Sequence, residues 1–187
     1  MRIRYNAPVT LTFALVSTLI LAADQTLRTD IIPTLFTMPP RAYFSLGSPA
    51  DWIRLFTHIA GHGDWAHLLG NFAFILLLGP ILEEKYGAVS VLVMMLITSL
   101  VTGLLNGFFS EAALLGASGV VFMMILLASF TNIKNREVPL TFLLVVALYL
   151  AREIISAFNT GDQIAQFAHI AGGVCGSLFG FLKPSKR

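Results

Sequence analysis

Gly116-Ala117-Ser118-Gly119-Val120-Val121-Phe122-Met123-Met124-Ile125-Leu126-Leu127 is the stretch on which the fold turns. It opens a run without a charged residue between Glu111 and Lys134, and a membrane-crossing helix needs about 20 predominantly apolar residues. A serine set between glycines at the head of such a run is costly unless it finds a partner. A second uncharged run, between Asp162 and Lys183, carries His169. A neutral histidine and a serine in hydrocarbon can satisfy each other. An ionisable residue inside a membrane segment points to function, and a serine within reach of a histidine is the minimum kit for an activated oxygen nucleophile.

Composition supports a membrane reading of the whole chain. Of 187 residues, 56% are hydrophobic and 12% charged, with a mean hydropathy of +0.80. A soluble domain of this size could not hide that much apolar surface. The net charge of +2 is too small to suggest a nucleic-acid partner. The single cysteine, Cys175, excludes an internal disulfide and a cysteine-cluster metal site, and reads as a small packing residue.

Uncharged windows give six candidate spans. The first lies between Arg4 and Asp24, with Asn6 and Pro8 placed like an N-cap and an early helical proline. The second starts near His67 and ends at Glu83-Glu84-Lys85, and the third lies between Lys85 and Glu111 with Gly87 as the turn. The fourth starts near Ser118 and ends before Lys134. The fifth, between Glu137 and Arg152, is short, and the sixth runs from about Ile164 to Lys183. With six spans and an inside N-terminus, eight basic residues fall inside and four outside (Arg28, Arg41, Arg54 and Arg152), which predicts both termini cytoplasmic. Arg2 and Arg4 before an apolar run ending Leu21-Ala22-Ala23 also resemble a cleavable signal peptide, which would leave five spans. The run is nevertheless long enough to span.

The segment from Gln25 to Asp64 is long for a membrane loop and carries four prolines and Trp52, with the other tryptophan, Trp65, directly after it. Tryptophan favours the headgroup level. With Ile31, Ile32, Leu35, Phe36, Phe44 and Leu46 it is too apolar to be disordered, and is expected to fold partly within the outer interface. No linker or internal repeat divides the chain, so residues 1–187 are expected to form one domain.

The four histidines fall in two places, His58, His62 and His67 together and His169 alone. Asn71 follows His67 by four residues, so both can aim at one point from one helix face. Two neutral donors fixed this way can hold a developing oxyanion. They can equally serve only to bond across to a neighbouring helix, a contribution of about 0.6–2 kcal/mol. His58 and His62 are spaced as a metal pair on one helix face, but Ile59 stands where a zinc protease would place its glutamate. Val120 occupies the position of the last glycine of a lipase-type elbow, so that motif fails too. In the last span Ala168, Gly172, Gly176 and Gly180 recur every four residues, a small-residue stripe that lets another backbone approach closely. His169 neighbours the stripe. If its partner is the span that Ser118 and Gly119 begin, serine and histidine meet at similar depth, and Phe122, one turn below Ser118, can stack on the imidazole or simply fill the core.

Taken together, these motifs resemble the bacterial rhomboid intramembrane serine proteases over nearly the whole chain. The resemblance rests on Gly116-Ala117-Ser118-Gly119, on Ala168-His169 followed by Gly172 and Gly176, and on the His62…His67…Asn71 run. Trp52 and Arg54 resemble the family's tryptophan–arginine motif, here separated by Ile53, and Glu83-Glu84-Lys85-Tyr86-Gly87 resembles its acidic-basic-glycine turn. The resemblance implies an all-α, six-transmembrane-helix bundle with a large interfacial first loop, in a bacterial inner membrane. It implies Ser118 as nucleophile and His169 as general base. His67, Asn71 and the Ser118 N–H would form the oxyanion site, with His62, Gly116, Gly119 and Phe122 as support. The family often has tyrosine where Phe122 stands. A fifth helix that tilts to admit substrate is implied as well.

The function expected is intramembrane endoproteolysis of transmembrane protein substrates near the outer face, with membrane lipid as the surrounding partner, no nucleic acid and no metal or organic cofactor. Asp162 lies seven residues before His169, at the helix start, so a Ser–His dyad is expected rather than a triad. Substrates that unwind easily, with glycine or proline in the span, suit such a site. Two alternatives belong to other classes. A catalytically silent rhomboid-like protein would bind or escort membrane proteins. A histidine-lined channel or transporter would be expected to show inverted repeats, and the chain has none.

Overall fold

The computed structural model describes residues 5–131 and 163–182, with positions 140, 144, 147, 148 and 151 between them; at 130, 131, 163–169 and 181 only the backbone is described. The elements are α1 (Pro8–Leu27), α2 (Ile31–Leu35), α3 (Pro49–Thr57), a 3₁₀ turn (His58–Ala60), α4 (Trp65–Tyr86), α5 (Ala88–Phe109), α6 (Ser118–Thr131) and α7 (Gln163–Leu182). No strand occurs among the described residues; the one isolated bridge pairs Met38 with Leu114. Three described helices, α1, α4 and α5, are long and apolar enough to cross a membrane, at 20, 22 and 22 residues. At 1.5 Å per residue each reaches about 30 Å, the thickness of the hydrocarbon core. The expected fifth span lies outside the described residues apart from the five isolated helical positions.

The start of α1 differs from the sequence expectation. Its cap residue is Ala7, not Asn6, and no side chain of its own caps it; Pro8 does open the helix. The exposed N–H groups are instead taken by Glu83 from the end of α4. One carboxylate oxygen accepts from the Thr10 N–H and the Thr10 hydroxyl, both at 2.6 Å, and the other from the Val9 N–H at 3.3 Å. A carboxylate at a helix N-terminus meets both the unpaired donors and the positive end of the dipole. Gly79, one turn before Glu83, makes room: a Cβ there would lie 2.2 Å from Thr10 Oγ1. The two helices therefore run antiparallel, with the start of α1 locked to the end of α4. α4 then ends at Gly87, whose φ of +87° turns the chain into α5.

The first loop is folded, as its composition predicts. Arg54 donates to the Thr34 carbonyl through Nε and Nη2, at 2.9 and 2.7 Å, and pairs with Asp51 at 2.6 Å. Asp51 in turn accepts the Ser45 N–H at 3.0 Å, and Trp52 donates to the Leu46 carbonyl at 2.8 Å. One polar face of α5 anchors this loop. Ser99 donates to the Leu55 and Phe56 carbonyls at the end of α3, at 2.8 and 3.1 Å. Asn106 donates to the carbonyls of Pro39 and Ala112, at 3.1 and 3.2 Å. The Met38–Leu114 bridge is made in both directions, at 2.8 and 2.9 Å, so the first loop is also tied to the segment that leads into α6. Beneath it, Ile75, Leu82, Val91, Met95, Met123 and Leu127 belong to one buried apolar cluster.

Candidate active site

The Gly116–Gly119 turn is clamped from three sides. From the first loop, the His58 carbonyl accepts the Gly116 N–H at 2.9 Å. From α4, His67 and Asn71 lie against the same glycine. A Cβ at Gly116 would stand 2.6 Å from His67 Nε2, 2.7 Å from its Cε1 and 3.7 Å from Asn71 Nδ2. Gly116 also has a φ of +111°, a conformation that L side chains rarely adopt. Both reasons demand glycine there. Two residues on, Ser118 is the first residue of α6 and half-buried, while Ala117 and Gly119 are buried.

His67 is set by its own helix start: Asp64 caps α4 and accepts the His67 N–H at 2.7 Å. Asn71, one turn further, is buried, and its Nδ2 has no hydrogen-bond partner among the described residues. A buried amide donor left unused costs about 1–3 kcal/mol, which marks a position where an acceptor would be held strongly.

His58 and His62 do not form the metal pair that their spacing allows. The helix ends at Gly61, so the two do not share a face. Gly61 is needed because the chain presses on Phe36 here; a Cβ would meet the Phe36 carbonyl oxygen at 2.3 Å. His58 is buried, with Nδ1 donating to the Arg54 carbonyl at 3.0 Å and Nε2 3.3 Å from Thr102 Oγ1. Burial lowers its pKa to about 4. His62 is buried with Nδ1 3.3 Å from the Ala60 carbonyl and Nε2 unpartnered among the described residues. Its ring meets the edge of His67 at 5.0 Å between centroids and Phe72 at 5.7 Å. Burial, with His67 adding to it, brings the His62 pKa down to about 4. Both are neutral imidazoles at neutral pH.

The third side is α7. A Cβ at Gly172 would fall 2.1 Å from the Gly119 carbonyl oxygen, and one at Gly176 would fall 2.3 Å from that of Met123. The two backbones therefore touch, and both contacts advance by four residues on each helix, so α6 and α7 run parallel. Gly173 faces the Phe122 ring, whose edge would lie 2.6 Å from an added Cβ. His169 precedes Gly172 by three residues, which puts its Cα on the same face about 4.5 Å nearer the start of α7. Ser118 is the neighbour of Gly119. The side chains of Ala168 and His169 lie outside those described.

Two participants escape sequence reading. The His58 latch uses a backbone carbonyl, which no residue type announces. Gly173 had a signal, the adjacent glycine pair one turn after His169, but a four-residue stripe count passes over it.

The rhomboid-domain family model matches residues 49–186. The rhomboid protease GlpG of Haemophilus influenzae is 28% identical over 137 residues, 72% of this chain and 71% of that protein. RHOMBOID-like protein 1 of Arabidopsis thaliana is 31% identical over 69% of this chain and 34% of its own length. The rhomboid protease GlpG of Salmonella paratyphi A is 30% identical over 69% of this chain, and 48% of its length is covered. The chain thus spans less than half of the last two relatives. The family match covers the first-loop helix α3, the His67–Asn71 face, the Ser118 turn and the α7 glycines, and the chain is an integral membrane protein of the rhomboid family.

Proposed function

We propose that the protein is an intramembrane serine endopeptidase that cuts transmembrane segments of other proteins near the outer face, with Ser118 and His169 as its dyad. Six spans, both termini in the cytoplasm and a bacterial inner membrane belong to the same proposal. The observation that carries it is the Gly116 turn, which seats His67 and Asn71 against the segment that opens into Ser118. Ser118 attacks the scissile carbonyl as His169 takes its proton. The carbonyl oxygen becomes an oxyanion, held by His67, Asn71 and the Ser118 N–H. His169 then protonates the leaving amine, and water reverses the sequence through the acyl-enzyme. The unused Asn71 amide supports this role, because a preorganised donor gains most when charge develops in a dry site. As base His169 must be neutral, so protonation of its imidazole removes the proton acceptor and turnover should fall at acid pH.

The test is turnover of a transmembrane substrate by the reconstituted full chain and by His67→Ala, Asn71→Ala and the double variant. Loss of one oxyanion donor costs about 10²–10³ in kcat, and the two losses should be less than additive. Asn71→Ala that raises KM and leaves kcat unchanged contradicts the oxyanion role. A wild type that binds transmembrane partners and never cleaves them favours the escort reading.

A further inference from the structure

Two cavities meet at Pro8. One, of about 340 Å³, has a mixed lining in which Asn6, Glu83 and Glu84 stand beside Pro80, Ile81 and Ala88. The other, of about 510 Å³, is an apolar groove along α1 from Pro8 to Val16 and along α5 from Leu92 to Leu96. Phe36, Phe56 and Ile59 of the first loop line its far end. Ala88, Leu92 and Leu96 are four apart, so a single stripe of α5 leads from the smaller cavity into the groove. Val16, Phe56, Leu92 and Leu96 are each more than a third exposed, so the groove is open at its side.

Its dimensions are those of one leaflet. From Pro8 to Val16 and from Ala88 to Leu96 the helices climb about 12 Å, against about 15 Å of hydrocarbon per leaflet. Pro8, Glu83 and Ala88 lie at one membrane boundary, because Glu83 binds the start of α1 and Ala88 starts α5. The smaller cavity therefore sits at headgroup level and the groove runs inward from it. The Glu83 oxygens are engaged by Val9 and Thr10, whereas Glu84 is exposed on the cavity wall. Glu84 is thus the carboxylate of the cavity left to meet an ammonium group.

We propose that the groove holds one acyl chain of a glycerophospholipid from that leaflet, with an ethanolamine headgroup placed at Glu84. The occupant follows from the apolar leaflet-length groove, its open side and the acidic mouth.

The experiment is native mass spectrometry of the full chain in mild detergent, titrated separately with palmitoyl-oleoyl phosphatidylethanolamine and phosphatidylglycerol. The wild type should retain one phosphatidylethanolamine, in preference to phosphatidylglycerol by up to about fivefold, the scale of one exposed ion pair. Leu92→Trp and Leu96→Trp, which fill the groove from partly exposed positions, should cut retention of both lipids about tenfold, and Glu84→Gln should abolish only the preference. Equal retention by the tryptophan variants overturns the groove assignment. Equal or tighter binding of phosphatidylglycerol by the wild type overturns the headgroup assignment, and that comparison needs no variant to fold.

Discussion

Gly172→Ala is the most informative single substitution. Its Cβ would stand 2.1 Å from the Gly119 carbonyl oxygen, whereas a close carbon–oxygen contact settles near 3.3 Å. The obstacle is backbone, so no rotamer change relieves it, and α7 must move from α6 by about 1 Å. Overpacking of this kind costs about 1–3 kcal/mol, or roughly 2–12 °C in Tm for a chain of this length. The displacement lies beside Ser118 and one turn from His169, where an error of 1 Å can cost about 10²-fold in turnover. Cleavage of a transmembrane substrate, normalised to folded protein, should fall by that order while the chain still folds. Gly63→Ala is the control, since nothing lies within 4 Å of its added Cβ. Wild-type turnover in a folded Gly172→Ala variant would refute the link between helix approach and chemistry.

Glu83→Ala strands three donors at the start of α1 and should lower stability by about 2–4 kcal/mol, with Glu83→Gln intermediate; thermal unfolding in detergent measures both, and turnover per folded molecule should not change. Stability should also depend on acid through His58 and His62. Their folded pKa values near 4 lie below the unfolded value of 6.5, so the unfolded chain binds more protons between those limits. Stability is therefore full above pH 6.5 and lost as pH falls toward 4. A Tm followed over that window should drop, and less steeply in His58→Gln; a flat profile contradicts the buried neutral imidazoles.

The long apolar helices are legible because hydrocarbon imposes a length and forbids charge, and α1, α4 and α5 fill windows marked by Arg4, Lys85 and Glu111. The folded first loop is legible from its apolar content. Its anchoring is not: Ser99 and Asn106 read as ordinary polar residues of a span, and their partners are carbonyls more than forty residues away in the first case and both loops in the second. The α1 cap is misplaced by local reading because the capping carboxylate, Glu83, comes from another helix 73 residues on. Likewise the four-residue spacing of His58 and His62 suggests one helix face, and the close approach of Phe36 to Gly61 breaks it. At the site, residue spacing suggests that His67 and Asn71 share a face, and the structure adds what lies opposite them, the left-handed Gly116. Phe122 is placed against Gly173, a contact that depends on how α6 and α7 pair rather than on either sequence alone.

The proposed chemistry stands or falls with Ser118 as a nucleophile activated within this fold. Its most direct measurement is covalent labelling of the membrane-embedded chain by a fluorophosphonate, with the modified peptide located by mass spectrometry. One adduct is expected, on Ser118, lost in Ser118→Ala and strongly reduced in His169→Ala while both variants remain folded. An adduct on another residue, with Ser177 the first to inspect, or undiminished labelling of folded Ser118→Ala, would contradict it.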